Sequence, residues 1–169
     1  IYGFNCDGAS PYEIIIGAVG ADRWEVEIIG RASHAGVAPE KGISSTMVAA
    51  LALADIKKNG WFGKISKNNQ VGTSNIGFFG DADGKCAGLS TNQVTDYVKI
   101  KGESRSEDEK FFTQITNAYK QAFENAAKSI QNCEGEFATI NFDSRIDYYP
   151  FNIDKNSEVI QISKKISDL

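Results

Sequence analysis

Histidine is the scarcest chemistry here: His34 is the one imidazole among 169 residues. Cys6, Cys86 and Cys133 are odd in number and fit no C-x-x-C spacing, so neither a disulfide framework nor a thiolate zinc site is signalled. The thiols read as reduced and cytoplasmic, and any metal site completed within the chain would be mostly carboxylate. No apolar run reaches the roughly 18 residues of a membrane-spanning helix. The opening Ile1-Tyr2-Gly3-Phe4 lacks the basic start and apolar centre of a signal peptide. A net charge of −4 with dispersed lysines leaves no footprint for nucleic acid. The missing initial Met and the abrupt end at Ser167-Asp168-Leu169 suggest a piece of something longer. What remains, 41% apolar and 24% charged, is ordinary for one globular domain with a sizeable core.

The chain is organised around Gly30-Arg31-Ala32-Ser33-His34-Ala35-Gly36-Val37-Ala38-Pro39-Glu40-Lys41-Gly42. Three glycines and a proline imply a fixed loop shape, through φ > 0 or close backbone approach at Gly and a locked φ at Pro. On spacing alone, a loop histidine is more often a solvated residue or a local cap than a catalytic group.

Before this loop, Arg23 to Ile29 alternates Trp24, Val26 and Ile28 against Arg23, Glu25 and Glu27, which predicts a strand with one solvated side. After it, Ser44 or Ser45 caps a helix ending at Lys57, Lys58 and Gly60. Residues 47 to 54 are apolar all round, which predicts heavy burial. Trp61 to Asn69 reads as a connection, followed by strands over Thr73 to Gly80 and Gln93 to Glu103. Ser106-Glu107-Asp108-Glu109 has the form of a capping box. It opens a helix over 107 to 130 carrying Phe111, Ile115, Tyr119 and Ala126 at helical spacing. A last strand, Glu134 to Phe142, places Glu136, Ala138, Ile140 and Phe142 on one side, with Glu136 breaking the pattern. The order β-α-β-β-α-β predicts an α+β ferredoxin-like sandwich, a four-stranded antiparallel sheet with two helices on one face. Past Tyr149-Pro150-Phe151 a further helix sets Val159, Ile162, Ile166 and Leu169 on one side, a stripe that asks for a neighbouring domain.

Several stretches, in one order, resemble a known family. Asp7-Gly8, Gly30 through Ile43, Thr73-Ser74-Asn75-Ile76-Gly77, Ser90-Thr91-Asn92-Gln93-Val94 and Gly102-Glu103-Ser104-Arg105-Ser106 look like landmarks of the dizinc exopeptidases related to the tripeptide aminopeptidase, peptidase T. The resemblance covers nearly the whole chain. It implies an inserted ferredoxin-like lid and dimerisation domain at 21–148, with catalytic-domain flanks at 1–20 and 149–169. The full-length enzyme would hold two zinc ions, cleave short peptides in the cytoplasm, and form a homodimer through the lid. Most of the family's metal-ligand motifs have no match here, so the chain alone is expected to bind zinc poorly and be inert.

Residue by residue, the resemblance makes Asp7 a metal ligand and His34 an oxyanion donor reaching the partner's active site. It makes Asn92 and Arg105 substrate-binding residues. Read without it, Asp7 is a turn residue, Asn92 a turn Asn and Arg105 a solvated strand end. Where the family often has Asp two positions before the arginine, Glu103 stands here. Asn75 falls in a matched segment with no chemical role to assign. Two other readings are a lid on an N-acyl amino acid amidohydrolase and a free-standing ferredoxin-like dimerisation or binding module. The Val159 to Leu169 stripe argues against the free module.

Overall fold

The computed structural model describes residue 10, residues 13–83 and residues 87–167. In chain order the elements are β1 (Gly17–Ala18), β2 (Gly20–Ile29), a short 3-10 turn (Pro39–Lys41), α1 (Ser45–Lys58), β3 (Gly63–Lys67), β4 (Gln70–Gly80), β5 (Tyr97–Ser106), α2 (Glu109–Ala127), β6 (Thr139–Tyr148), β7 (Phe151–Asn152) and α3 (Glu158–Ser167). The main sheet runs β3-β4-β5-β2-β6 with every neighbour antiparallel. Strands β4-β5-β2-β6 and the two helices are the expected ferredoxin-like sandwich.

The fifth strand, β3, lies in the stretch read from sequence as a connection. It is short and carries one buried apolar residue, Ile65, so its alternation is faint. It is fixed by a two-residue turn to β4, Lys67 opposite Gln70, in which Asn68 (φ 50) and Asn69 (φ 63) both take left-handed backbone. Paired positive φ is what the strand twist demands of such a turn, and Asn tolerates it.

One face of the sheet packs on the helices. Trp24, Val26 and Ile28 of β2 and Val98 and Ile100 of β5 meet Val48, Ala52 and Ile56 of α1 and Phe111, Ile115, Tyr119 and Phe123 of α2. Trp24 lies 4.4 Å from Tyr119 and 5.8 Å from Phe142 between ring centroids. Gly102 sits opposite Trp24 on β5, and a Cβ there would run into the indole. The buried Tyr119 hydroxyl bonds Ser74 Oγ at 2.9 Å, and Ser74 Oγ donates to the Trp61 carbonyl at 2.7 Å, so the tyrosine enters the core with its polar end satisfied.

Helix starts and strand ends refine the sequence reading. Ser44 caps α1 as expected, accepting from the Met47 amide at 3.2 Å. The capping box at Ser106 does not form. Ser106 ends β5 and donates to the Val71 carbonyl at 2.7 Å, so Asp108 caps α2 instead, accepting from the Lys110 amide at 2.8 Å. The last strand begins at Thr139 rather than Glu134, because 131–137 closes into its own turn, bridged between Gln131 and Phe137.

Burial of α1 is one-sided. Val48, Ala49, Ala52 and Ile56 face the core, whereas Met47, Ala50, Leu51 and Ala54 are exposed. In α3 the buried residue is Ile160, beside the expected stripe, while Ile166 stays 59% exposed. Leu169 lies outside the described residues. β1 pairs with β7, so the segments entering β2 and leaving β6 run side by side. Among the described residues no helix is long and apolar enough to cross a membrane.

Candidate functional site

The loop after β2 is closed at its base. Arg31 and Ile43 exchange backbone hydrogen bonds of 3.0 and 2.9 Å, and Gly30 packs so closely on the Ile43 carbonyl that no side chain fits there. Close approach, not positive φ, explains this glycine. Above the base, residues 33–35 pair with 92–94. The Val94 amide donates to the Ser33 carbonyl at 2.9 Å and the Ala35 amide to the Asn92 carbonyl at 2.8 Å, flanking the His34–Gln93 bridge. The sequence-predicted site residues His34 and Asn92 are thus brought together, both exposed. The strand expected from Gln93 begins only at Tyr97, because 92–94 pairs with this loop. The Asn92 side chain accepts from Ser90 Oγ.

A clamp that the sequence reading did not single out holds the loop from the other side. Asn132, buried at the turn after α2, donates through Nδ2 to the Lys41 carbonyl at 3.2 Å and to Glu136 Oε2 at 2.9 Å. Its Oδ1 accepts from the amides of Glu134 and Glu136 at 3.1 and 2.8 Å. The Cys133 amide donates to the Glu40 carbonyl at 2.8 Å, and Arg31 pairs with both Glu134 and Glu136. Bonds from Asn132 and Arg31 hold the Glu136 carboxyl below its usual pKa. The legible signal for this clamp was Glu136 itself, a charge at a position the strand pattern made apolar.

Arg105 lies elsewhere. It stands on β5 opposite Ala21 and Thr73, while the His34 loop leaves the sheet at the Tyr97 end, where the Gly30 amide donates to the Asp96 carbonyl at 2.7 Å. Eight residue steps separate Tyr97 from Arg105, roughly 26 Å along β5. Arg105 is half-buried, and its Nε and NH2 both bond Glu103 at 2.9 Å, which pushes its pKa up. The Glu103 that departs from the family pattern therefore occupies the guanidinium fork.

Both residues belong to the helix-free face of the sheet, many of whose charges are paired with one another. Lys99 reaches Glu25 at 3.0 Å and Glu27 at 3.4 Å, Lys101 reaches Glu25 at 3.5 Å, and Arg23 reaches Asp147 at 3.0 Å. The Tyr97 hydroxyl donates to Glu27 at 2.7 Å, and burial together with that carboxylate pushes its pKa up to about 12. An open groove of about 710 Å3 crosses this face, lined by Arg23, Asn75, Lys101, Glu103, Asp143 and Arg145 among others. Asn75 thus acquires a place, on the groove opposite Glu103.

Asp7 lies outside the described residues. Among those described, no three His, Cys, Asp or Glu side chains gather as a metal site would require.

A model of the peptidase dimerisation domain matches residues 16–131, more than half of the chain. An uncharacterised protein of Bacillus subtilis (strain 168), YqjE, is 32% identical over 166 residues, which make up 97% of this chain and 39% of that protein. Among solved structures, the aminopeptidase PepT from Bacillus cereus ATCC 10987 is 29% identical with a TM-score of 0.72, covering 91% of this chain and 36% of the other. A tripeptidase from Staphylococcus aureus subsp. aureus Mu50 is 25% identical with a TM-score of 0.73, again covering 91% and 36%. An amidase of the hydantoinase/carbamoylase family from Burkholderia multivorans, 17% identical with a TM-score of 0.65 over 90% of this chain and 33% of its own, shares the fold. The chain spans less than two fifths of the length of each of these relatives. His34, Asn92 and Arg105, the α1 face and all of the main sheet but β6 fall within the matched residues, and the chain belongs to the M20 peptidase dimerisation domain family.

Proposed function

We propose that this chain is the lid and dimerisation domain of a zinc-dependent peptidase acting on short peptides, with residues 21–148 inserted between catalytic-domain flanks at 1–20 and 149–169. The family membership and the likeness to an aminopeptidase and a tripeptidase support it. So does the pairing of β1 with β7, which brings the chain into and out of the sheet side by side, as an insertion needs. The exposed free thiol of Cys133 suits a reducing, cytoplasmic setting.

The observation that carries the reading is the separation of the site residues. His34 and Asn92 stand on the two facing segments of one exposed, braced pairing at one end of the sheet, and Arg105 stands at the other. A short peptide cannot touch both ends of one lid, so one domain serves two active sites. In this reading Arg105 binds substrate carboxylate in its own subunit, and the homodimer carries His34 and Asn92 to the partner's. His34 donates a hydrogen bond to the oxygen that gains negative charge during attack on the peptide carbonyl, and Asn92 helps hold the substrate. Two zinc ions would take their ligands from outside the described residues; Asp7 is the one candidate this sequence offers.

The exposed apolar stripe of Met47, Ala50, Leu51 and Ala54 is the surface that fits a second copy, since monomeric domains seldom leave such a face open. The test of the central role is His34→Ala in the longer enzyme. We expect kcat to fall by roughly a hundredfold or more, the scale of losing one oxyanion donor, with metal content and dimerisation intact. An unchanged kcat would return His34 to a solvated loop residue.

A further inference from the structure

The loop fixes more than the position of His34. Its ring nitrogen Nδ1 accepts a hydrogen bond of 3.1 Å from the Gly36 backbone amide. The neighbouring amides are committed elsewhere: Ala35 donates to the Asn92 carbonyl at 2.8 Å, while Val37 and Ala38 donate to the His34 carbonyl at 3.1 and 3.0 Å. Gly36 is therefore the backbone donor in this turn that meets the ring, and the two flanking turn bonds hold it there.

We propose that the Gly36 amide is a positioning group that sets the tautomer of His34, keeping the ring proton on Nε2 and presenting Nε2–H as a donor. A neutral imidazole has one donor and one acceptor nitrogen, and the hydrogen bond made by one nitrogen decides the state of the other. With Nδ1 accepting from Gly36, the outward nitrogen of the neutral ring can donate and cannot act as a base. The proposal rests on the reading of His34 as an oxyanion donor and sharpens it: the ring is built for that duty and against general-base duty.

Glycine at 36 is not required by space. A Cβ there would meet His34 Cε1 at 3.5 Å and Nδ1 at 3.7 Å, ordinary contacts. Gly36→Ala therefore keeps both the loop and the amide donor, whereas Gly36→Pro removes the N–H. Because His34 is the only histidine in the chain, its ring nitrogens can be read without ambiguity by nitrogen-15 correlation spectroscopy at a pH where the same signals show the ring to be neutral.

The 169-residue chain and Gly36→Ala should both show an unprotonated Nδ1 and a protonated Nε2. In Gly36→Pro the two nitrogen shifts should converge as both tautomers become populated. A protonated or averaged Nδ1 in the wild-type chain, or a folded Pro variant with unmoved shifts, would overturn the proposal. Should the Pro variant fail to fold, the wild-type chain decides alone: a scalar coupling across the hydrogen bond between the Gly36 amide nitrogen and Nδ1 is expected, and its absence overturns the assignment. These readouts need no activity. A locked tautomer with unchanged kcat in His34→Ala sinks the donor role, while a mobile tautomer with a kcat loss sinks only the lock.

Discussion

Glu103 and Arg105 bond through both guanidinium nitrogens facing the carboxylate, so a substrate carboxylate at Arg105 must share or displace Glu103. A planar fork allows that exchange without losing both bonds at once, and an ammonium does not. Arg105→Lys in the longer enzyme should raise KM about tenfold or more, the scale of one hydrogen bond to a charged group, with little change in kcat. An unchanged KM would remove Arg105 from the substrate site. Asp22 gives a second test at this scale, independent of function. It is 5% exposed on the core face of β2 with Oδ1 unpartnered, and burial raises its pKa against the opposing pull of a Thr116 hydrogen bond. In the window between its unfolded and folded pKa the native state holds the extra proton, so Asp22 stabilises fully below its unfolded value and that contribution is lost as pH rises through the folded one. Asp22→Asn should remove this slope: its stability relative to wild type, read by urea unfolding, should climb with pH and then level off. A flat difference would contradict the buried-acid account. Of these side chains, sequence pattern reached Arg105 through a family motif and could not reach Asp22 or Asn132, whose surroundings are assembled from segments far apart in the chain.

Elements with a strong internal signal were legible, and elements defined by a partner were not. The alternation of β2 and the helical spacing of α2 fixed which faces are buried, because each carries its apolar residues on one side. Helix α1 carries them all round, which reads as full burial; the structure leaves Met47, Ala50, Leu51 and Ala54 exposed instead. Strand β3 escaped because one apolar residue makes no pattern, although Asn68-Asn69 offered a turn signal. If the outer stripe of α1 is the dimer contact, Leu51→Glu should weaken self-association by roughly thirtyfold or more, about 2 kcal/mol for a central apolar contact, without unfolding the monomer. Sedimentation equilibrium measures this directly, and an unchanged dissociation constant would move the interface elsewhere. Within the fold, Gly102→Ala should destabilise by about 1–3 kcal/mol, since its Cβ collides with the buried Trp24 ring. Wild-type stability in thermal unfolding would show instead that the indole can yield.

At the scale of the whole molecule, the proposed lid is a two-ended device: one end would complete the active site of its own subunit and the other its partner's. Family motifs made both ends visible in the sequence, but not their separation, which exists only once β5 is laid down as a continuous strand between them. The most direct test mixes two impaired forms of the longer enzyme, His34→Ala and Arg105→Ala, isolates the hybrid dimer and assays it with substrate well below KM, where loss of either group shows. If Arg105 acts in its own subunit and His34 in the partner's, the hybrid contains one site with both groups intact and one with neither, and activity should return to about half the wild-type value per dimer. A confirmed hybrid dimer no more active than its two parents would contradict the two-ended account.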